Sequence, residues 1–320
     1  MAGLKVIPLL SRQACYDLAG WAGALAARFD KRGRAVALAN LEAAFGDEFS
    51  PERRADIVRE SYQHFARTML DLFWSPRLNA KNFTRYFEFE GAEEAMAELA
   101  PSFNCIVGAF HYGNFEWLSL AFGWSGFPGA ITTQEFKNPL LENFFKKLRE
   151  RSGHTMVPRA GAVIRLHRTL RKKGRAALLV DTTLPAHHPT VVIECFGLKT
   201  MVTVAHAWLQ ARTGVPILPL YCVPLAGGRY RIVMLPRIQP PEGTTHQDIA
   251  QACWDSFEPV VRRNPAPWLW MYKHWRYRPA GASGYPFYAH ESPAFEQIAS
   301  RPNYAPLDRS ALPGAVRPAA

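Results

Sequence analysis

Apolar residues recur at helical spacing through the first quarter of the chain and then give way to short apolar runs. From Arg12 to Phe29, Leu18, Trp21, Ala22, Leu25 and Phe29 fall three to four residues apart and predict a helix. Ser50-Pro51-Glu52-Arg53 marks the start of another, with a good N-cap followed by proline at the first helical position. Ile57, Tyr62, Phe65, Met69 and Leu72 carry that helix to about Phe73. From Cys105 onward the texture changes. Strand candidates at Cys105–Phe110, Ala130–Thr133, Ala176–Val180, Val191–Phe196, Pro216–Val223 and Tyr230–Leu235 alternate with helix candidates at Pro139–Ser152, Ala162–Lys173 and Thr203–Thr213. The alternation predicts an α/β fold: a central, mostly parallel sheet flanked by helices, behind a helical N-terminal layer. After Pro279 glycine and proline become frequent, which predicts a loose tail, partly disordered or draped over the surface. Three stretches follow: an amphipathic N-terminal segment over 1–34, a catalytic-sized domain over 35–279 and the tail over 280–320.

Composition narrows the partners. The 320 residues are 48% hydrophobic and carry a formal net charge of +11, so the chain suits a folded core and anionic partners. Nucleic acid, phospholipid headgroups and an acidic carrier protein all remain open on charge alone. Five scattered cysteines, an odd number without a Cys-x-x-Cys pair, argue against a disulfide framework or a structural zinc site. No stretch reaches the ~18 uncharged apolar residues that a spanning helix needs. Pro8 and Arg12 cut short the only N-terminal apolar run, so no secretory signal is expected. Lys5, Arg12, Arg28, Lys31, Arg32 and Arg34 bracket the first helix. A basic-flanked amphipathic helix with a Trp suits a bilayer interface, and an ordinary helix docked on its own core suits the pattern equally.

The sharpest local feature is Phe110-His111-Tyr112-Gly113-Asn114-Phe115-Glu116. His111 follows a buried-looking strand, and Gly113-Asn114 supply turn and cap chemistry before an apolar helix. Residues five apart on one helix point away from each other, so His111 and Glu116 can cooperate only if His111 stands in the loop and Glu116 in the first turn. A loop at the end of a parallel strand opens into the crevice where α/β proteins bind ligands. There, His111 could take a proton from an attacking hydroxyl, with Glu116 orienting the imidazole. A structural histidine capping a helix is the competing reading.

These residues resemble the His-x4-Asp/Glu motif of glycerolipid and lipid A acyltransferases. Further blocks occur in the same order: Asn40-Leu41 through Phe45 before the Ser50-Pro51 helix, Asn138-Pro139-Leu140 leading to Lys146–Arg151, Gly174 to Asp181, Phe196-Gly197, Gly214–Pro219, Pro265–Trp270 and Arg276–Pro279. Together, over roughly residues 35–279, they resemble the bacterial late acyltransferases of lipid A biosynthesis. The resemblance implies transfer of an acyl chain from an acyl carrier protein thioester to a hydroxyl of a phosphorylated glycolipid, with no metal and no bound cofactor. It implies His111 and Glu116 as the catalytic pair, Arg149 as a functional arginine, and Asp181 as an acidic position that holds a basic group or a neighbouring loop. It also implies an enzyme at the cytoplasmic face of the bacterial inner membrane, peripheral or monotopic. Thr183 stands where the family often has a second acidic residue, and the N-terminal anchor is reduced to the stretch before Phe29.

The remaining signals are weighed beside this. The arginine fork suits Arg149 and Arg151 to a lipid phosphate, and Asn114 joins the substrate-binding expectation. The cluster Arg165, Arg168, Arg171, Lys172, Lys173 and Arg175 could meet anionic headgroups or an acidic carrier, or be a solvated face. Lys273-His274-Trp275-Arg276-Tyr277-Arg278 interleaves aromatics with bases, but no nucleic-acid motif accompanies it, and a bilayer interface is an equal reading. His187-His188 with Asp181 lacks the spacing of a metal site. Two alternatives stay open: the same chemistry on another acceptor (phosphatidylinositol mannoside, a lysophospholipid or an amino-acid lipid), and a silent relative that binds membranes or acidic proteins.

Overall fold

The computed structural model describes residues 6–91, 103–133 and 138–300. Its centre is a seven-stranded sheet in the order β1-β9-β8-β2-β5-β3-β4. The strands are β1 (Phe87–Glu90), β2 (Ile106–Ala109), β3 (Ala130–Thr133), β4 (Thr155–Pro158), β5 (Ala176–Leu179), β8 (Ile217–Pro224) and β9 (Tyr230–Met234). All neighbours are parallel except β8 and β9, as the strand–helix alternation predicts. A separate antiparallel hairpin joins β6 (Thr190–Cys195) to β7 (Leu198–Thr203). Phe196 and Gly197 at its turn both have positive φ, the signature of a two-residue hairpin turn whose twist matches the strands.

Adjacent positions on the strands feed opposite layers. Ile106, Ala176, Leu178, Val180 and Ile217 join one core with α2 (Lys31–Phe45), α6 (Ala162–Arg171), α7 (Ala205–Thr213) and α8 (His246–Arg263). Val107, Ala109, Leu218, Leu220 and Cys222 join a second core with α4 (Phe115–Trp124) and Trp74. Helix α3 (Pro51–Trp74) contributes to both cores, Ile57 and Val58 to the first and Trp74 to the second. The expected helices appear nearly as read: α1 (Arg12–Phe29), α3, α5 (Pro139–Glu150), α6 and α7.

Helix α1 lies along α3 through small residues. Cys15, Ala19, Gly20, Gly23 and Ala27 form its buried face, and a Cβ on Gly23 would come within 2.5 Å of the Gln63 backbone. The large apolar residues read from the sequence therefore face outward. Trp21 is 65% exposed and Phe29 70%, with Leu18 and Leu25 on the same stripe. No helix among the described residues is long and apolar enough to cross a membrane. The boundary expected at residue 34 falls inside α2, and residues 1–5 lie outside the described part.

The tail is a second departure. Residues 280–300 are docked, because α9 (Pro293–Ala299) buries Phe295 with Val192 and Met201, and the Tyr288 hydroxyl bonds to Asn40. The rest of the expected tail, 301–320, lies outside the described residues. Trp275 and His274 are likewise buried, so Lys273–Arg278 presents neither ring to solvent as a stacking platform or an interfacial anchor.

Candidate active site

The site begins with strand register. Ala109 pairs with Leu179 across the parallel β2–β5 ladder, so the residues two further on, His111 and Asp181, leave neighbouring strands side by side. His111 Nδ1 lies 2.8 Å from Asp181 Oδ1, and the His111 backbone N–H donates to Asp181 Oδ2 at 2.9 Å. Trp268 Nε1 adds a third donor to Oδ2 at 3.0 Å. Burial by itself would raise the Asp181 carboxyl, yet its attraction to His111 and these hydrogen bonds hold it below the ordinary value. An ionised carboxylate only accepts, so Nδ1 carries a proton, and in the neutral ring the lone pair lies on Nε2.

Glu116 is not the partner of His111. It stands in the first turn of α4, as expected, but its carboxylate takes the fork of Arg149 from α5, with Nε to Oε2 at 2.9 Å and Nη2 to Oε1 at 2.6 Å. Chain proximity misleads here. His111 precedes the helix cap and follows the strand ladder towards Asp181, whereas Glu116 points across α4 to α5. The expected phosphate fork of Arg149 is thus engaged with a carboxylate. Burial disfavours the guanidinium charge, and Glu116 overrides that, raising the Arg149 pKa.

Asn114 is also corrected: it is buried and structural. Its Oδ1 caps α4 by accepting from Trp117 N at 2.9 Å, and its Nδ2 donates to Asp71 at 2.8 Å. Arg151 is exposed, donates to the Ser75 carbonyl at 3.3 Å and does not line the cavity described below. The turn between His111 and Asn114 is fixed at Gly113. With φ +57 it sits where a Cβ would fall 1.8 Å from the Cys222 carbonyl oxygen, so only glycine fits. Gly113 N–H donates to Pro267 O at 3.0 Å, and Thr68 Oγ1 donates to Gly113 O at 2.9 Å.

Behind His111 runs an apolar slot of about 370 Å³. Alternate residues of three neighbouring strands form its floor: Val107 and Ala109 on β2, Ala177 and Leu179 on β5, Ile131 and Thr133 on β3. Phe115, Leu118 and Phe122 of α4 form the roof. His111, Glu116 and Arg149 line it at the C-terminal ends of the strands, while Gly129, His154 and Arg175 line it at the N-terminal ends. At the usual rise per residue, the six steps from Arg175 to Asp181 span about 20 Å. Both nitrogens of His154 are used, one accepting from Gly129 N at 3.0 Å and the other meeting Ser119 O at 2.6 Å. Burial lowers its pKa, against the hydrogen bonds to Ser119 and Gly129 that raise it.

Sequence reasoning missed Asp181 as the imidazole's carboxylate, and with it Trp268, Asp71 and the slot. The Pro265–Trp270 block carried a signal for Trp268, but nothing local tied it to Asp181. The His187 and His188 rings lie 4.2 Å apart and tilted at 40°, and no group of three or more His, Cys, Asp or Glu side chains gathers to hold a metal among the described residues.

Asp181 is enclosed and His111 partly exposed, and the pair stands at the strand ends beside the apolar slot and Arg149. The sequence profile of the family described as bacterial lipid A biosynthesis acyltransferase matches residues 1–277. A lipid A biosynthesis palmitoleoyltransferase of Escherichia coli (strain K12) is 24% identical over 272 residues, covering 82% of this chain and 84% of its own. A lipid A biosynthesis acyltransferase of Shigella flexneri gives the same figures. The chain belongs to the bacterial lipid A biosynthesis acyltransferase family and is an acyltransferase.

Proposed function

We propose that the chain moves a fatty acyl group from an acyl carrier protein thioester to a hydroxyl of a phosphorylated glycolipid, a lipid A precursor, with His111 as general base. The observation that carries this reading is the placement of the Asp181-held imidazole at one end of the apolar slot. The acyl chain occupies the slot, where each buried methylene contributes about 0.8 kcal/mol. His111 Nε2 takes the proton of the acceptor hydroxyl as its oxygen attacks the thioester carbonyl. The C–S bond then breaks and the departing thiolate takes that proton back from the imidazolium, while Asp181 steadies the charged ring.

The Arg149–Glu116 pair lies at the same end of the slot, and an acceptor phosphate that takes the place of the Glu116 carboxylate would meet the guanidinium fork there. No cofactor enters this sequence of steps. Placement at the cytoplasmic face of the inner membrane, peripheral or monotopic, is supported by the outward stripe Leu18, Trp21, Leu25 and Phe29 with Arg28, Lys31 and Arg32 beside it. The relatives' role in lipid A biosynthesis supports the acceptor class.

The test is an acyl-transfer assay with labelled carrier-protein thioesters and candidate acceptors presented in anionic vesicles. Wild type should acylate a phosphorylated glycolipid and His111→Ala should not, while Trp21→Glu/Phe29→Glu should lose vesicle-dependent rate. A His111→Ala protein that folds and still transfers would remove the general base. Transfer by wild type to a lysophospholipid but to no glycolipid would replace the acceptor.

A further inference from the structure

The loop that carries His111 is fastened from an unexpected direction. Asp71, on α3, is fully enclosed and gathers four groups. Arg12 of α1 forms an ion pair with both of its oxygens, Tyr230 of β9 donates its hydroxyl at 2.6 Å, and Asn114 donates Nδ2 at 2.8 Å. Arg12 also donates to the Gly228 carbonyl, from Nε at 3.0 Å and from Nη2 at 2.7 Å. Its guanidinium lies 4.7 Å over the ring of Trp117, whose Nε1 donates to the Asp71 carbonyl at 2.9 Å. Tyr230 and Gly228 tie these contacts to β9 and the turn before it, while Asn114 and Trp117 carry them to the first turn of α4. Asn114 caps that turn, Trp117 is the residue it caps, and Glu116 stands between them.

An isolated buried carboxylate or guanidinium is expensive, and a core could be filled more cheaply with apolar residues. The pair nonetheless sits at the one junction where α1, α3, β9 and the His111–Glu116 loop meet. We infer that Arg12 and Asp71 are positioning residues for the reaction: through Asn114 they fix the loop from His111 to Glu116 against the rigid ends of the strands. This rests on the acyl-transfer reading for its kinetic consequence but not for its structural one. The N-terminal helix thereby has two tasks, an outward apolar stripe and an inward arginine that completes the loop.

The neutral double variant Arg12→Met/Asp71→Asn leaves no bare buried charge. It should melt close to wild type, lose at least about tenfold in kcat, and change KM for the acyl thioester by less than that, because the floor of the slot is built by β2, β3 and β5, which the pair does not touch, and only the head of the α4 roof follows the loosened turn. Ile57→Val, a core cut on the same helix as Asp71, controls for destabilisation alone and should leave kcat unchanged. Hydrogen exchange gives a readout independent of turnover. Amides of 111–117 should exchange faster in the double variant, while those of β5 stay as in wild type. A folded double variant with wild-type exchange in 111–117 overturns the inference whatever the assay shows. Loop loosening in a protein whose wild type transfers nothing would instead point to the acyl-transfer reading as the fault. If the double variant does not fold, Tyr230→Phe removes one donor to Asp71 without creating a charge. It should loosen the same amides, and unchanged exchange there overturns the inference equally.

Discussion

Two side-chain pairs sit at the strand-end mouth of the slot, and they are made from different materials. His111 and Asp181 come from the ends of neighbouring parallel strands, and their alignment follows from the β2–β5 register. Glu116 and Arg149 come from two helices, and their alignment follows from how α4 and α5 pack. The strand-borne carboxylate is fully enclosed, with its hydrogen bonds spent on His111 and Trp268, so it has nothing left for a substrate. The helix-borne pair keeps a little exposure on both members, at 11% and 13%. The first arrangement suits proton transfer, where angles must be held, and the second suits binding, where a side chain must yield.

Breaking the strand-borne pair should therefore cost most. Asp181→Asn keeps the shape but can present the wrong dipole to Nδ1; kcat should fall by about 10²–10⁴ with KM little changed, measured by steady-state transfer. A loss under tenfold would return the orienting role to another group. The same variant should also alter acid stability. Because Asp181 is held below its ordinary value, the stability it contributes is complete above the unfolded carboxylate's pKa and is lost as pH falls through the lower folded one. Asp181→Asn should lack that component in acid unfolding curves.

The helix-borne pair should show a middle effect of a different kind. Arg149→Ala should raise KM for a phosphorylated acceptor more than for its dephosphorylated form. Glu116→Gln should do less, and in a double-mutant cycle the two should be non-additive, as expected for direct contact. Full additivity would mean that Glu116 does not act through Arg149. The smallest change in rate is expected at a site that touches neither pair. Ala177→Leu narrows the slot midway along β5. It should shift preference towards shorter acyl chains by about tenfold, with little loss on the best short chain. An unchanged chain-length profile would remove the acyl group from the slot.

What was legible in the sequence was what local pattern encodes. The apolar runs at Cys105, Ala176 and Pro216 are central strands, β2 and most of β8 buried on both faces and β5 on one face with the slot against the other, and they read as strands for that reason. Strand β1, Phe87-Glu88-Phe89-Glu90, alternates cleanly and was still passed over, because four residues at a sheet edge give a short signal. Helix α8 was missed because Pro259 interrupts its pattern near the C-terminal end. At the site, His111 and the start of α4 were visible, since the cap and the turn are local. The Asp181 partnership was not, because only the register of β2 against β5 brings residues seventy positions apart to 2.8 Å. The same reasoning assigned Glu116 to its neighbour in the chain, and Arg149 took it in space.

That register has a consequence for how the protein comes into being. A slip of one residue between β2 and β5 would turn His111 and Asp181 to opposite faces of the sheet. The two strands are joined by α4, β3, α5, β4 and α6, so their pairing closes a long loop and belongs among the slow, non-local events of assembly. A nascent chain that has made its helices but not this ladder holds a histidine, a carboxylate and an open apolar groove, with no means of bringing them to bear on an acyl group. With His111 as the proposed base, reactivity is withheld until the sheet is complete, and the appearance of turnover during refolding would time the closure of β2 on β5.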